Sequence, residues 1–166
     1  MTRPLSGIKV LELGNLLAGP FSGMLLGDMG ADVIKIEPPQ GDMGRATPPI
    51  RNGESVSFTA LNRNKRSLVL DLKRPEAQEI MRRLAAKSDV FVEANRPGAL
   101  EKMGLGAEHL KAVNPKIVYT NCYGYSRRGP DADRPAYDDT IQAECGLPAV
   151  QQHLTGEADY VGTIMA

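Results

Sequence analysis

The sequence has little of several residue types, and each shortage argues against a class of protein. Its 166 residues include two cysteines, two histidines and no tryptophan. Two cysteines imply no disulfide framework, and with only two histidines we predict no metal site. We interpret Cys122 and Cys145 as small buried side chains rather than nucleophiles, because neither has an evident partner base.

The sequence also lacks an excess of charge and a long apolar run. Twenty basic residues balance twenty acidic ones, which argues against nucleic acid or an anionic membrane as a partner. No stretch is long enough for a membrane span, and the N-terminal residues lack the apolar run of a signal peptide. We therefore predict a cytoplasmic protein that binds neither nucleic acid nor membrane.

What the sequence does contain is an alternation of strand and helix patterns. Strands are predicted at 8–14, 32–39, 67–73, 89–94 and 116–125, and helices at 19–31, 74–88, 97–104 and 106–115. Pro20 suits a first helical turn, and Gly30 suits a helix end. This alternation predicts an α/β fold, a doubly wound and mostly parallel sheet.

The composition changes after Tyr125. Residues 126–135 form a polar stretch with proline and glycine, 136–146 have a helical pattern, and 147–158 are interpreted as a loop. We therefore divide the chain into a domain at 1–125 and the start of a second region at 126–166.

The first strand is followed by a glycine-containing turn, GNLLAGP at 14–20. Glycines at such a turn let backbone approach a phosphate, and Glu37 ends the second strand where dinucleotide-binding folds often place a ribose-binding acid. The spacing is neither G-x-G-x-x-G nor a Walker A loop, so we predict no NAD site. The alternative is a tight turn followed by a solvated acid.

Two further clusters leave alternatives open. Arg63, Lys65 and Arg66 could meet phosphates at the mouth of a strand, or lie on a solvated loop. Asp138 and Asp139 could act as acid and base, or simply complement the dipole of a helix that begins there.

Five segments in order carry a resemblance to a known family. They are GIKVLELGNLLAGPFSGMLLGDMGADVIKIEPP, NRNKRSLVLDLKRPEA, DVFVEANRPGALEKMGL, NPKIVYTNCYGYSRRGP and RPAYDDTIQAECGL. The chain closely resembles family III CoA-transferases, which include formyl-CoA and carnitine CoA-transferases and α-methylacyl-CoA racemase. The resemblance implies a Rossmann-like domain that holds coenzyme A within an interlocked homodimer. It also implies transfer of CoA between an acyl-CoA and a carboxylic acid through an aspartyl anhydride and thioester.

The resemblance implies roles for particular residues. Those implied to bind CoA are Leu16, Ala18, Leu70, Lys73, Asn95, Arg96 and Lys102. Tyr137 and Asp138 match a pair beside the reaction centre and are implied to support catalysis. The nucleophilic aspartate is expected directly after Ala166, so we expect a chain that is truncated before its nucleophile and inactive by itself.

The sequence departs from the family pattern at two informative places. EANRPG replaces the usual ENFRPG, so the aromatic that would stack on adenine is replaced by Asn95. Tyr137 stands where the racemase branch carries a histidine, and a racemase needs a base on each side of the α-carbon. A CoA-transferase is therefore favoured. The alternatives are an acyl-CoA racemase and a non-catalytic module for CoA binding or assembly.

Overall fold

The computed structural model describes residues 3–162 and contains two compact units, Met1–Cys122 and Tyr123–Ala166. The first unit contains β1 (Lys9–Leu13), α1 (Ala18–Asp28), β2 (Asp32–Glu37), β3 (Ile50–Arg51), β4 (Glu54–Ser55), α2 (Val56–Leu61), β5 (Lys65–Val69), α3 (Pro75–Ala85), β6 (Val90–Glu93), α4 (Ala107–Val113) and β7 (Val118–Asn121). Two 3₁₀ turns, Met43–Ala46 and Glu101–Met103, complete it.

Five strands form one parallel sheet in the order β5-β2-β1-β6-β7, and β3 pairs with β4 in a separate hairpin. The predicted Rossmann-like, doubly wound α/β fold is confirmed. Successive residues of β1 show why helices cover both faces. Val10 packs in one cluster, to which Leu26 of α1 contributes. Leu11 faces the other side and packs in a second cluster with Met81 of α3 and Leu110 of α4.

The end of α1 is fixed by its glycine, as the sequence predicts. Gly30 has a φ of 102° and follows the cap residue Met29. Its N–H donates to Gly27, and the N–H of Ala31 donates to the carbonyl of Leu26. These two bonds satisfy carbonyls that the last helical turn leaves open, and they turn the chain directly into β2.

The strand predicted at 67–73 is displaced, because β5 begins at Lys65 and ends at Val69. Its register with β2 explains the difference. Val69 pairs with Glu37, the last residue of β2 before two prolines, so the ladder has no partner beyond that point. The N–H of Leu70 still donates to the carbonyl of Glu37, and the chain then turns.

The second unit contains α5 (Asp138–Glu144) and α6 (Leu147–Thr155). The interpretation of 147–158 as a loop was therefore wrong. Gly146 and Gly156 bound α6 with positive φ, and Pro148 lies in its first turn, where proline is tolerated. Cys145 is exposed at the end of α5, so the prediction that both cysteines are buried was wrong for this one; Cys122 is partly buried.

Within residues 3–162, none of the helices has the length and apolar character that a membrane span requires.

Candidate functional site at the carboxyl edge of the sheet

The connections that follow β1 and β6, two neighbouring strands at the centre of the sheet, lead to opposite sides of it. After β1 the chain crosses to β2 and β5 on one side, and it then returns to β6 on the other side of β1. In open α/β sheets, ligands bind in the crevice that this reversal leaves outside the carboxyl ends. The first candidate site is therefore the turn after β1, residues 14–17, and its surroundings.

Two glycines bring the start of α1 against this edge. A Cβ on Gly14 would lie 2.9 Å from the Cα of Gly19, and one on Gly19 would lie 3.0 Å from the Cα of Gly14. The methyl group of Ala94, just beyond β6, lies within 3.5 Å of both positions. A side chain at either glycine would push the helix away from the sheet, so the sequence GNLLAGP encodes close strand–helix packing.

Leu16 is the strained residue of the turn. Its φ is 62°, in the left-handed region that residues with a side chain rarely adopt, and its side chain is 42% exposed. Its N–H donates to Oδ1 of Asp42 over 3.1 Å. The same oxygen accepts the N–H of Gly44 at 2.7 Å, which caps the 3₁₀ turn that follows.

A buried cluster of four charged side chains lies behind this turn. Lys35 Nζ donates to Glu12 at 2.9 Å and to the carbonyl of Gly14 at 2.8 Å, and it lies 2.7 Å from Asp42. Lys65 Nζ lies 2.6 Å from the second oxygen of Glu12. Two cations therefore balance two carboxylates, an arrangement that buried charges require.

The three basic residues of the cluster at 62–67 all form ion pairs, of which only that of Lys65 is buried. Lys65, with its side chain only 2% exposed, donates to the carbonyl of Pro20, and burial lowers its pKa while Glu12 opposes the shift. Arg63 pairs with Asp28, and Arg66 pairs with Asp32. Both interpretations, a phosphate site and a solvated loop, were wrong for Lys65, because it is committed to the buried cluster.

Glu37 is neither a solvated acid nor available to a ribose. It is 1% exposed, and each of its oxygens accepts two hydrogen bonds. Oε1 accepts from Arg45 and Ser67, and Oε2 accepts from Arg45 and from the N–H of Asp42. A carboxylate offers about four such positions, so all are filled. The Arg45 guanidinium, above all, lowers the pKa of Glu37 to about 2.

In the second unit, a buried glutamine connects two segments. Gln142 of α5 is 2% exposed, and its Nε2 donates to Asp138 at 2.7 Å. The same amide accepts the N–H of Val161 at 2.8 Å and donates to the carbonyl of Val161 at 3.2 Å. The side chain of Gln142 therefore ties the start of α5 to the backbone that precedes residue 163.

Comparisons with known proteins identify the family. A sequence model of CoA-transferase family III matches residues 5–166. The chain belongs to CoA-transferase family III.

Relatives named for specific reactions support the same assignment. The chain is 45% identical to succinyl-CoA:glutarate CoA-transferase of Mus musculus, covering 95% of this chain and 36% of that protein. It is 45% identical to succinate–glutarate CoA-transferase of Agrobacterium fabrum, covering 94% and 40%. A crystal structure of a CaiB/BaiF family protein from Brucella suis superposes with a TM-score of 0.91 at 40% identity, covering 99% and 45%. The chain thus spans less than half the length of these relatives.

Most residues that the CoA-transferase resemblance implies for CoA binding follow the carboxyl ends of strands. Leu16 and Ala18 follow β1, Leu70 and Lys73 follow β5, and Asn95 and Arg96 follow β6. These strands belong to one parallel group with β2, so their carboxyl ends share one edge of the sheet.

Two of these residues differ from the rest. Lys102 lies farther along the chain, in the 3₁₀ turn Glu101–Met103. Asn95 turns its amide inward, since its Nδ2 donates to the carbonyl of Leu13 at 3.1 Å and its N–H donates to Glu93 at 2.7 Å. Asn95 therefore joins the ends of β1 and β6, where the common CoA-transferase pattern carries an aromatic.

The pair implied to support catalysis lies at the start of α5. Tyr137 is the exposed cap residue, and Asp138 is the first helical residue. Asp138 lies where a carboxylate complements the helix dipole, and it also accepts a hydrogen bond from Gln142, while its catalytic role stays a prediction. The predicted position of the nucleophile follows Ala166 and lies outside the described residues 3–162.

Sequence reasoning missed Asp42, Lys35, Glu12 and Gln142. The sequence does contain a signal for two of them, because Glu12 and Lys35 interrupt buried apolar strands, and their register pairs them directly. Gln142 lies one helical turn after Asp138, a spacing that permits a contact. Asp42 gave no signal, since a loop aspartate after two prolines is ordinarily a turn residue.

Proposed function

We propose that the complete protein transfers coenzyme A between an acyl-CoA and a carboxylic acid, and that residues 1–125 form its Rossmann-like CoA-binding domain. The observation that carries the proposal is a shared location. Six of the seven residues implied to bind CoA follow the carboxyl ends of strands in one parallel sheet, and four of them follow β1 and β6, the strands that flank its reversal point. Membership of the CoA-transferase family supplies the reaction class.

The proposed reaction proceeds by covalent catalysis at an aspartate after Ala166. Its carboxylate attacks the thioester carbonyl, the carbon–sulfur bond breaks, and CoA leaves as a thiolate from the acyl-aspartyl anhydride. The thiolate then attacks the aspartyl carbonyl, releases the donor acid, and leaves an aspartyl-CoA thioester. The acceptor carboxylate repeats these steps in reverse. Each step passes through an oxyanion that backbone donors can stabilise.

Tyr137 and Asp138 have a supporting role in this proposal. A carboxylate near the nucleophile can orient it or balance the charge that develops during attack. Support comes from the amide of Gln142, which fixes Asp138 and the backbone of Val161 together. The missing racemase histidine at Tyr137 favours transfer over racemisation.

The names of the relatives suggest the substrate class. Three relatives at 44–45% identity are named for succinate or succinyl-CoA together with glutarate. We therefore propose succinyl-CoA as donor and a dicarboxylic acid as acceptor, in a homodimer of the complete protein. The soluble reactants fit a cytoplasmic enzyme without nucleic-acid or membrane partners.

Titration calorimetry of the 166-residue chain with CoA tests the binding site. We expect saturable CoA binding, and Lys73→Ala should weaken it about fivefold, because a cation near phosphate groups contributes about 1 kcal/mol. Lys87→Ala is the matched control, because Lys87 is also exposed but precedes β6 at the opposite edge. No heat with CoA, or equal losses in both variants, would contradict the assignment.

Thioester exchange tests the reaction. The 166-residue chain mixed with succinyl-CoA and glutarate should form no glutaryl-CoA, because the proposed nucleophile lies outside it. The complete protein should form it and lose the activity when the aspartate after Ala166 is changed to asparagine. Turnover by the 166-residue chain would show that the nucleophile lies elsewhere.

A further inference from the structure

One buried ion pair holds two backbone groups of the same turn. Lys35 Nζ donates to the carbonyl of Gly14 at 2.8 Å, and Asp42 Oδ1 accepts the N–H of Leu16 at 3.1 Å. Lys35 and Asp42 lie 2.7 Å apart with their side chains almost fully buried. The pair therefore spans the turn from inside and fixes it at two points, two residues apart.

The backbone held in this way is strained. Leu16 has a φ of 62°, and a side chain with a Cβ disfavours that conformation. Strained backbone persists where its surroundings enforce it, and the hydrogen bond to Asp42 is the contact that reaches the Leu16 amide. Loss of that acceptor would remove the hydrogen bond that holds the Leu16 amide and release the residue toward ordinary φ values.

Stability does not explain the choice of charged residues here. A buried ion pair seldom stabilises a fold more than apolar residues of the same size, because desolvation offsets the attraction. The neighbouring positions Val10 and Val33 on the same face of the sheet show that apolar residues fit there. What the pair adds is directional contacts. The ammonium of Lys35 donates to a backbone carbonyl and the carboxylate of Asp42 accepts a backbone N–H, and apolar side chains can do neither.

We infer that Asp42 is a positioning residue for the CoA-binding turn, beside Lys35, which holds the carbonyl of Gly14. This rests on the proposed function, which assigns Leu16 and Ala18 to CoA. Asp42 acts through the backbone of Leu16. The left-handed conformation of Leu16 sets the shape of the turn that is proposed to contact CoA.

Two double variants isolate the acceptor oxygen. Lys35→Met with Asp42→Asn, and Lys35→Met with Asp42→Ala, both remove one charge of each sign, so the remaining pair of Glu12 and Lys65 stays balanced. The first keeps an amide oxygen that can accept the N–H of Leu16, and the second has no acceptor. If the alanine variant does not fold, Asp42→Leu, which also has no acceptor but branches at Cγ as aspartate does, replaces it.

The first readout is CoA affinity by calorimetry, below the unfolding midpoint of each variant. We expect the alanine pair to bind CoA at least tenfold more weakly than the asparagine pair. Asp28→Asn, which removes a carboxylate at the far end of α1, should keep the affinity of the unsubstituted chain. Equal affinities in the two double variants would overturn the inference.

The second readout adds Leu16→Gly to both double variants. Glycine adopts positive φ without assistance, so the tenfold difference in CoA affinity between the two double variants should fall to less than threefold. If Asp42 merely stabilised the fold, the gap would be the same with leucine or glycine at this position. An unchanged gap would therefore overturn the positioning role.

The third readout separates this inference from the proposed function. A residue with positive φ has its amide proton unusually close to its own α-proton, so Leu16 should give a strong intraresidue NOE. We expect this signal in the asparagine pair and its loss in the alanine pair, whether or not CoA binds. If the unsubstituted chain does not bind CoA but the NOE is present in the asparagine pair and lost in the alanine pair, the result would contradict the proposed function alone. An NOE retained in the alanine pair would overturn the positioning role.

Discussion

The two faces of the parallel sheet are built from different chemistry. The face beneath α3 and α4 is mostly apolar, since Leu11, Ile36 and Phe91 form one buried cluster with Met81 of α3, and it carries one buried acid, Glu93, at the end of β6. The face beneath α1 mixes a few apolar side chains with the buried charges of Glu12, Lys35 and Lys65. Both faces exclude water, yet the first does so mainly with side chains that gain from burial alone.

The difference separates stability from geometry. Apolar burial is non-directional, so the apolar cluster of the first face stabilises the unit without fixing any particular backbone group. Buried charges must be paired in defined positions, and on the second face they hold the carbonyl of Gly14 and, with Asp42, the amide of Leu16. The face that contacts the candidate turn is thus the face with directional interactions.

The largest expected loss is on the apolar face. Phe91 is 0% exposed, and the centroid of its ring lies 5.0 Å from the ring centroid of Tyr119. Phe91→Ala should lower the free energy of unfolding by about 4 kcal/mol, because it removes buried surface and leaves a cavity. Urea unfolding at pH 7 measures this. Val69→Ala, at a position 56% exposed, is the control and should cost less than about 1 kcal/mol; similar losses would contradict the assigned core.

An intermediate loss is expected on the charged face. Lys35→Met leaves Glu12 and Asp42 with Lys65 as the remaining cation of the cluster, so we expect a loss of about 3 kcal/mol in the free energy of unfolding. Adding Asp42→Asn restores the balance of charge and should recover at least about 1 kcal/mol. The same urea unfolding experiment gives both values. Losses that simply add would show that these charges are not coupled.

The smallest expected change in the free energy of unfolding comes from substituting either of two glycines in α1, and it should differ between them. A Cβ on Gly23 would lie 2.7 Å from a carboxylate oxygen of Glu12, whereas one on Gly27 would meet Asn64 at 3.4 Å and Val33 at 3.6 Å. Gly23→Ala should therefore cost about 1–2 kcal/mol despite the helix propensity of alanine, because the ion cluster holds Glu12 in place.

Gly27→Ala, by contrast, should be neutral or stabilise the unit by up to about 1 kcal/mol, since its contacts are ordinary. Thermal unfolding of both variants makes the comparison. A stabilising Gly23→Ala would mean that Glu12 can move, and the rigid cluster beneath α1 would then be an incorrect description.

Sequence patterns located most of the helices and strands, and failed where tertiary contacts decide. The predicted helix at 74–88 is α3, since Pro75 and the apolar spacing of Met81 and Ala85 are local signals. The end of β5 at Val69 depends on where its partner β2 stops, which no local pattern contains. The helix α6 was missed because its cap glycines and Pro148 also suit a loop.

The α/β alternation, the glycine turn at 14–20 and the resemblance to CoA-transferases can all be recognised from local patterns and their order along the chain. The roles of the charged residues, in contrast, follow from contacts that the folded chain makes. In the sequence, Glu37 and Lys65 could each contact a ligand or be solvated, yet the fold brings Arg45 to one and Glu12 to the other. The physical reason is that periodicity reports which residues face inward, whereas the partner of a buried charge lies on another strand or loop, at a distance that only the folded register fixes.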